Sequence, residues 1–128
     1  MKKIVLFIAS LILLVGCTST TAGVTNMNVS EFSEKISEPG IILLDVRTPG
    51  EFAEGFIEGA RLIDFQSGNF ESEIASLDKN TTYAVYCRSG NRSGQAAKIM
   101  YDAGFHNVYN LDGGVIDWGN AGLPLVRS

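Results

Sequence analysis

The residues best suited to chemistry stand together in Cys87-Arg88-Ser89-Gly90-Asn91-Arg92-Ser93. The preceding run Thr81–Tyr86 is rich in β-branched and aromatic residues and reads as a strand that feeds directly into Cys87. After the loop, Ser93–Ala103 reads as a helix, with Gly104 at its C-terminal end. A cysteine between a strand end, a glycine-containing turn and a helix start lies where backbone N–H groups converge. Such a concavity favours negative charge, and Arg88 and Arg92 add to it. The form favoured is the thiolate, which is the nucleophile. A free thiol with pKa near 8.5 is only about 3% ionised at pH 7, and each unit of depression, about 1.4 kcal/mol, raises that nearly tenfold. Buried free cysteines are often inert core residues. The Arg, Ser, Gly and Asn flanks of Cys87 do not make an inert core wall.

The elements that must position this loop can be read on both sides of it. Val24–Met27 is a short first strand. Asn28-Val29-Ser30-Glu31 opens a helix as a capping box, with Val29, Phe32 and Ile36 on one face and Pro39-Gly40 as the stop. Ile41–Val46 runs apolar without alternation up to Asp45, as a strand buried on both faces does. Thr48, Pro49 and Glu51 repeat the helix-start pattern. Ala60–Phe65 reads as a strand, Asn69–Leu77 as a short helix, Asn107–Leu111 as a strand and Val115–Trp118 as a last helical turn. Alternating strands and helices imply an α/β fold, a doubly wound, mostly parallel sheet flanked by helices on both faces. Ligands of such sheets bind beyond the carboxyl ends of the strands, and Cys87 is expected there. Tyr83 and Tyr86 read as sheet core, with Tyr86 able to edge the active-site mouth. Trp118 reads as a packing anchor. Nothing in the sequence brings His106 near Cys87.

The N-terminus is an address. Lys2 and Lys3 are followed by thirteen uncharged residues, Ile4–Gly16, and then by Cys17. A bilayer-crossing helix needs about 20 apolar residues, so the run fits a secretory signal. Leu14-Val15-Gly16-Cys17 resembles a bacterial lipobox, in which the cysteine carries the lipid. An uncleaved anchor helix and an ordinary signal peptide are the alternatives. The expected organisation is a signal over residues 1–17, a flexible tether over 18–23 and a single domain over 24–128, outside the cytoplasm and anchored to the cell envelope. Lys+Arg number 10 and Asp+Glu 14. Removing Lys2 and Lys3 takes the balance from −4 to 8 − 14 = −6, which excludes the basic footprint of a nucleic-acid binder. Two cysteines and one histidine supply neither a disulfide framework nor a four-ligand zinc site, so no metal is expected. A Cys–His protease pairing would depend on His106 alone.

Three ordered stretches carry a family resemblance. Cys87-Arg88-Ser89-Gly90-Asn91-Arg92 resembles the active-site loop of single-domain rhodanese-like sulfurtransferases. Leu44-Asp45-Val46-Arg47-Thr48-Pro49-Gly50-Glu51-Phe52, followed by Gly55-Phe56-Ile57-Glu58-Gly59-Ala60, is similar to the family's first signature. Leu111-Asp112-Gly113-Gly114, Trp118, Gly122 and Pro124 match the closing one. Phe56 stands where the family usually has His and Glu58 where it usually has Pro, which bears on local packing. The resemblance implies a two-step sulfur relay. Cys87 takes the outer sulfur of a donor such as thiosulfate as a persulfide, and cyanide or another thiol removes it. No cofactor is implied beyond that covalent intermediate. Ser89, Gly90, Asn91 and Ser93 would cradle the anions, and Arg88 and Arg92 would recognise the donor. Asp45 would orient loop amides, pair with an arginine or simply cap its strand, and Arg47 and Glu51 would form an internal ion pair. The six-residue loop is one shorter than that of related phosphatases and arsenate reductases, and so resembles the sulfur-handling branch. The alternative is a persulfide carrier or redox-partner module without turnover. A monomer is expected.

Overall fold

The computed structural model describes residues 19–21 and 23–128. The leader, the lipobox and Cys17 lie outside the described residues. No helix among the described residues is long and apolar enough to cross a membrane.

The elements run β1 Ser19–Thr21, β2 Val24–Met27, α1 Val29–Ser37, β3 Ile41–Asp45, α2 Pro49–Glu54, β4 Arg61–Leu62, α3 Phe70–Ile74, β5 Thr82–Tyr86, α4 Asn91–Asp102, β6 Val108–Leu111 and α5 Gly114–Asn120. Six strands form one sheet in the order β1-β2-β6-β5-β3-β4. All neighbours are parallel except β1 and β2. The expected doubly wound, mostly parallel sheet is therefore present. Within the segment read as a tether, Ser19–Thr21 folds back on Val24–Asn26 as an antiparallel edge strand.

Both capping boxes form as their residues dictate. Asn28 accepts from the Glu31 N–H at 2.9 Å, and Thr48 accepts from the Glu51 N–H at 3.3 Å, with Pro49 in the first turn. Two elements are shorter than the apolar runs suggested. The strand expected over Ala60–Phe65 narrows to Arg61–Leu62, because the edge of β3 offers it only a two-residue register. Backbone bonds from Ile63 to Asp45 and from Phe65 to Val46 continue that contact as loop. The helix expected over Asn69–Leu77 ends at Ile74, where Ala75 caps it.

Alternate residues of the central strands feed two cores, one on each face. Leu44, Val46, Tyr83, Val85 and Cys87 join Ala96, Ala97 and Met100 of α4 on one side. Leu43, Ala84 and Tyr86 join Phe32 of α1 and Trp118 of α5 on the other. The apolar runs of β3 and β5 lack period-two alternation because both faces are covered.

Candidate active site

β5 lies between β3 and β6 at the middle of the sheet, and Cys87 is the first residue past its carboxyl end. The turn closes through Gly90, whose left-handed backbone (φ 97°) turns the chain into α4. Only glycine fits there, since a Cβ would stand 2.9 Å from the Gly113 nitrogen. The helix starts at Asn91, two residues earlier than the sequence pattern placed it. This brings Ser93 into the first turn of α4, facing the sulfur.

Cys87 is 0% exposed, yet its sulfur does not face hydrocarbon alone. The Gly90 N–H lies 3.1 Å and the Ser93 hydroxyl 3.3 Å from Sγ. Burial pushes the thiol pKa up. The Ser93 hydroxyl and the amides of Ser93, Gly90 and Ser89 outweigh it, so the net direction is down. The amide cradle expected from the sequence is in place, and hydrogen-bond donors are the largest of the causes that lower the pKa. Removing the hydroxyl in Ser93→Ala leaves burial less opposed. We expect the pH midpoint for iodoacetamide alkylation of Cys87 to rise and the rate at pH 7 to fall severalfold. An unchanged midpoint would show that Ser93 contributes nothing.

The charged partners differ from those expected. Arg47 and Glu51 do not form the anticipated pair. Arg47 binds Asp45, with Nη2 to Oδ2 at 2.7 Å and Nε to both carboxylate oxygens at 3.0 and 3.1 Å. Its Nη2 also donates to the Gly55 carbonyl at 2.6 Å. Both partners are buried, with side-chain exposures of 6% and 0%. Asp45 accepts from the Arg47 N–H as well, at 2.9 Å. Its carboxylate therefore holds the strand-end turn and Arg47 rather than the loop amides. Burial works against the charge on Arg47, and the Asp45 carboxylate overrides it and raises its pKa.

Glu51 instead reaches the loop. It binds Arg92 with both forks, Nη1 to Oε1 at 2.7 Å and Nη2 to Oε2 at 2.9 Å. Arg92, expected to recognise the donor, is thus engaged in an internal bidentate pair. That pair ties α2 to the first turn of α4 beside the nucleophile. Arg92 and its hydrogen bond come first among the causes that hold Glu51 down at about 2, from an ordinary 4.5. A lowered carboxylate pKa adds stability above the unfolded value and loses it as pH falls. The Tm gap between wild type and Glu51→Gln should accordingly be open at pH 6 and close between pH 4.5 and 2. A gap independent of pH in scanning calorimetry would show that the pair does not act through ionisation.

Arg88 and Ser89 are exposed at the outer face of the loop, and the Arg88 guanidinium has no hydrogen-bond or ion-pair partner among the described residues. Asn91 is exposed and accepts from Gln95 at 3.1 Å. Tyr86 does not edge the mouth. It is fully buried, and its hydroxyl accepts from the Ile57 N–H at 3.0 Å. Burial first, then the Asp45 carboxylate, drives its pKa upward, so it stays protonated. His106 is exposed in the connection before β6, at the amino end of a strand parallel to β5, and so at the opposite edge of the sheet from Cys87. Trp118 is 5% exposed and donates to the Pro124 carbonyl at 3.0 Å, an anchor as expected.

The part sequence reasoning missed is a backbone clamp. At the start of α5, the Val115 and Ile116 amides donate to the carbonyls of Cys87 and Arg88 at 3.0 and 3.1 Å. Gly114 makes the approach possible, since a Cβ there would lie 2.4 Å from the Arg88 oxygen and 2.5 Å from the Cys87 oxygen. The pair Gly113-Gly114 was the only available signal. Phe56 stacks on Phe52 with centroids 4.1 Å apart and planes 4° from parallel.

The comparisons agree with this geometry. The Rhodanese-like domain family matches residues 28–121. A sulfurtransferase of Allochromatium vinosum is 33% identical over 104 residues, covering 80% of this chain and 95% of that one. The thiosulfate sulfurtransferase GlpE of Pseudomonas aeruginosa is 39% identical over 88 residues, covering 69% and 78%. Among solved structures, a rhodanese-related protein from Thermoplasma volcanium superposes with a TM-score of 0.71 at 29% identity, covering 80% of this chain and 98% of that one. With the matched segment taking in α1 through α5, strand-end cysteine and amide-lined loop included, the chain belongs to the rhodanese-like domain family.

Proposed function

We propose that the protein is a sulfurtransferase that moves sulfane sulfur from an anionic donor such as thiosulfate to a thiophilic acceptor through a Cys87 persulfide. The observation that carries this reading is the convergence of the Gly90 amide and the Ser93 hydroxyl on the Cys87 sulfur, at 3.1 and 3.3 Å. The family's sulfurtransferase relatives support the same reaction class. In the first step the thiolate attacks the outer sulfur of thiosulfate. The donor S–S bond breaks and sulfite leaves with the electron pair. The same donors that hold the thiolate then hold the persulfide anion. In the second step cyanide or a thiolate takes the outer sulfur, and the pair returns to Cys87. The chain carries this out without a cofactor or metal, as a monomer.

Two measurements test the reading together. Mass spectrometry after thiosulfate should show a 32 Da addition at Cys87, and thiocyanate should form from thiosulfate and cyanide with turnover. The second reading is a persulfide carrier, favoured by the complete burial of the sulfur. A stable adduct without turnover would establish it. Faster hydrolysis of an aryl phosphate than sulfur transfer would overturn both. We further propose that Cys17 carries lipid and holds the domain at the outer side of a bacterial membrane. Intact mass of the membrane-extracted protein reads this directly, and an unmodified Cys17 would refute it.

A further inference from the structure

The cleft beside the nucleophile loop is far larger than an inorganic donor requires. It measures about 680 Å³, and Arg47, Glu51, Glu54, Arg88, Arg127 and Leu125 are among its lining. That volume falls in the range of roughly 300–1,000 Å³ typical of sites for organic ligands. Its charges sort simply. Arg47 is neutralised by Asp45, and Glu51 is matched by Arg92. Arg88, Arg127 and Glu54 remain, all exposed, and none of them forms an ion pair among the described residues. The cleft is therefore net positive in a chain whose formal charge is −4.

Arg127 is aimed rather than loose. The C-terminal segment pairs with the chain just past α2, with Phe56 and Val126 exchanging two backbone bonds at 2.9 and 2.8 Å. Arg127 Nε donates to the Glu54 carbonyl at 2.9 Å. This leaves its two terminal nitrogens without a partner among the described residues. A guanidinium presented as a fixed fork suits a carboxylate. Val115 and Leu125 supply apolar lining to the same cleft.

We propose that the sulfur acceptor is an organic thiol bearing carboxylates, with Arg88 and Arg127 as its specificity-determining residues. The proposal rests on the persulfide reading above. The acceptor thiolate attacks the outer sulfur of the Cys87 persulfide. A new S–S bond forms on the acceptor as the bond to Cys87 breaks, and the electron pair stays on Cys87 as the thiolate. The product is an organic persulfide, and no outside oxidant or reductant takes part. Cyanide, having no carboxylate, bypasses this recognition.

The test compares mercaptosuccinate, 2-mercaptoethanol and cysteamine as acceptors from thiosulfate, as kcat/KM per thiolate at low salt, beside cyanide. We expect mercaptosuccinate to exceed 2-mercaptoethanol at least tenfold and cysteamine to be poorest. Arg127→Gln should lower kcat/KM for mercaptosuccinate at least fivefold more than it lowers that for cyanide, and Arg127→Lys should restore much of the difference. Values within threefold across the three thiols, or an Arg127→Gln effect equal on both acceptors, would overturn the assignment. A binding arm separates this from the underlying reading. The unreactive S-methyl derivative of mercaptosuccinate is titrated into the protein and followed by NMR. If no acceptor, cyanide included, receives sulfur, the sulfurtransferase reading falls. Saturable shifts confined to Arg88 and Arg127 would then still uphold carboxylate recognition by the cleft, and their absence would remove it too.

Discussion

Cys87→Ser should abolish the 32 Da adduct and lower thiocyanate formation at least about 10⁴-fold, the largest effect on activity expected of any substitution here. Sulfur transfer needs an ionised nucleophile. A serine hydroxyl in the same place stays protonated at neutral pH, and no base among the described residues hydrogen-bonds to that position to take its proton. His106, the single histidine, is exposed at the other edge of the sheet. The donors at 3.1 and 3.3 Å from the sulfur would meet a neutral hydroxyl, with no anion left to stabilise. A 10⁴-fold loss corresponds to about 5.4 kcal/mol of transition-state stabilisation. The fold should be nearly unaffected, since oxygen replaces sulfur without new bulk and keeps two polar neighbours. Residual turnover within tenfold of wild type, measured on protein free of wild-type contamination, would remove Cys87 from the mechanism.

Gly114→Ala should be the most damaging of the single-methyl additions to stability. Its backbone is left-handed (φ 57°), which costs an alanine on the order of 1 kcal/mol. The larger cost is space, with the new Cβ placed 2.4 Å from the Arg88 carbonyl oxygen and 2.5 Å from that of Cys87. These are backbone atoms in the nucleophile loop and cannot swing aside. Overpacking of this kind adds about 1–3 kcal/mol. The sum is about 3 kcal/mol, a fall in Tm of roughly 10–20 °C for a domain of this size. Relief requires α5 to move away, which breaks the Val115 and Ile116 bonds to the same carbonyls, so transfer activity should fall as well. Gly119→Ala provides the contrast. It makes the same chemical change inside α5, where beyond the helix's own backbone and the adjoining residues no described atom lies within 4 Å of the new methyl, and should be neutral or stabilising by up to about 1 kcal/mol. Equal Tm changes for the two variants would refute the clamp.

Much of the molecule was legible in its residues because the signals are local. A strand buried on both faces has to be apolar throughout, as Ile41–Leu44 and Tyr83–Tyr86 are. Asn28 with Glu31, and Thr48 with Glu51, satisfy helix-start amides within three residues, so both caps could be named and both form. The nucleophile was legible for the same reason. A cysteine after a β-rich run and before Ser-Gly-Asn defines strand, turn and helix within seven positions.

What the linear order determined is the sheet, the caps and the cysteine placed at a strand's carboxyl end. Tertiary structure alone decided which charge meets which. Glu51 lies four residues from Arg47 but binds Arg92, 41 positions away, while Arg47 turns back to Asp45. Side-chain pairing depends on where β3, α2 and α4 converge, and no local pattern encodes that convergence. The clamp of α5 on the nucleophile loop and the cleft between Arg88 and Arg127 have the same origin. Each joins segments that touch only once the parallel crossovers have stacked their helices on the sheet.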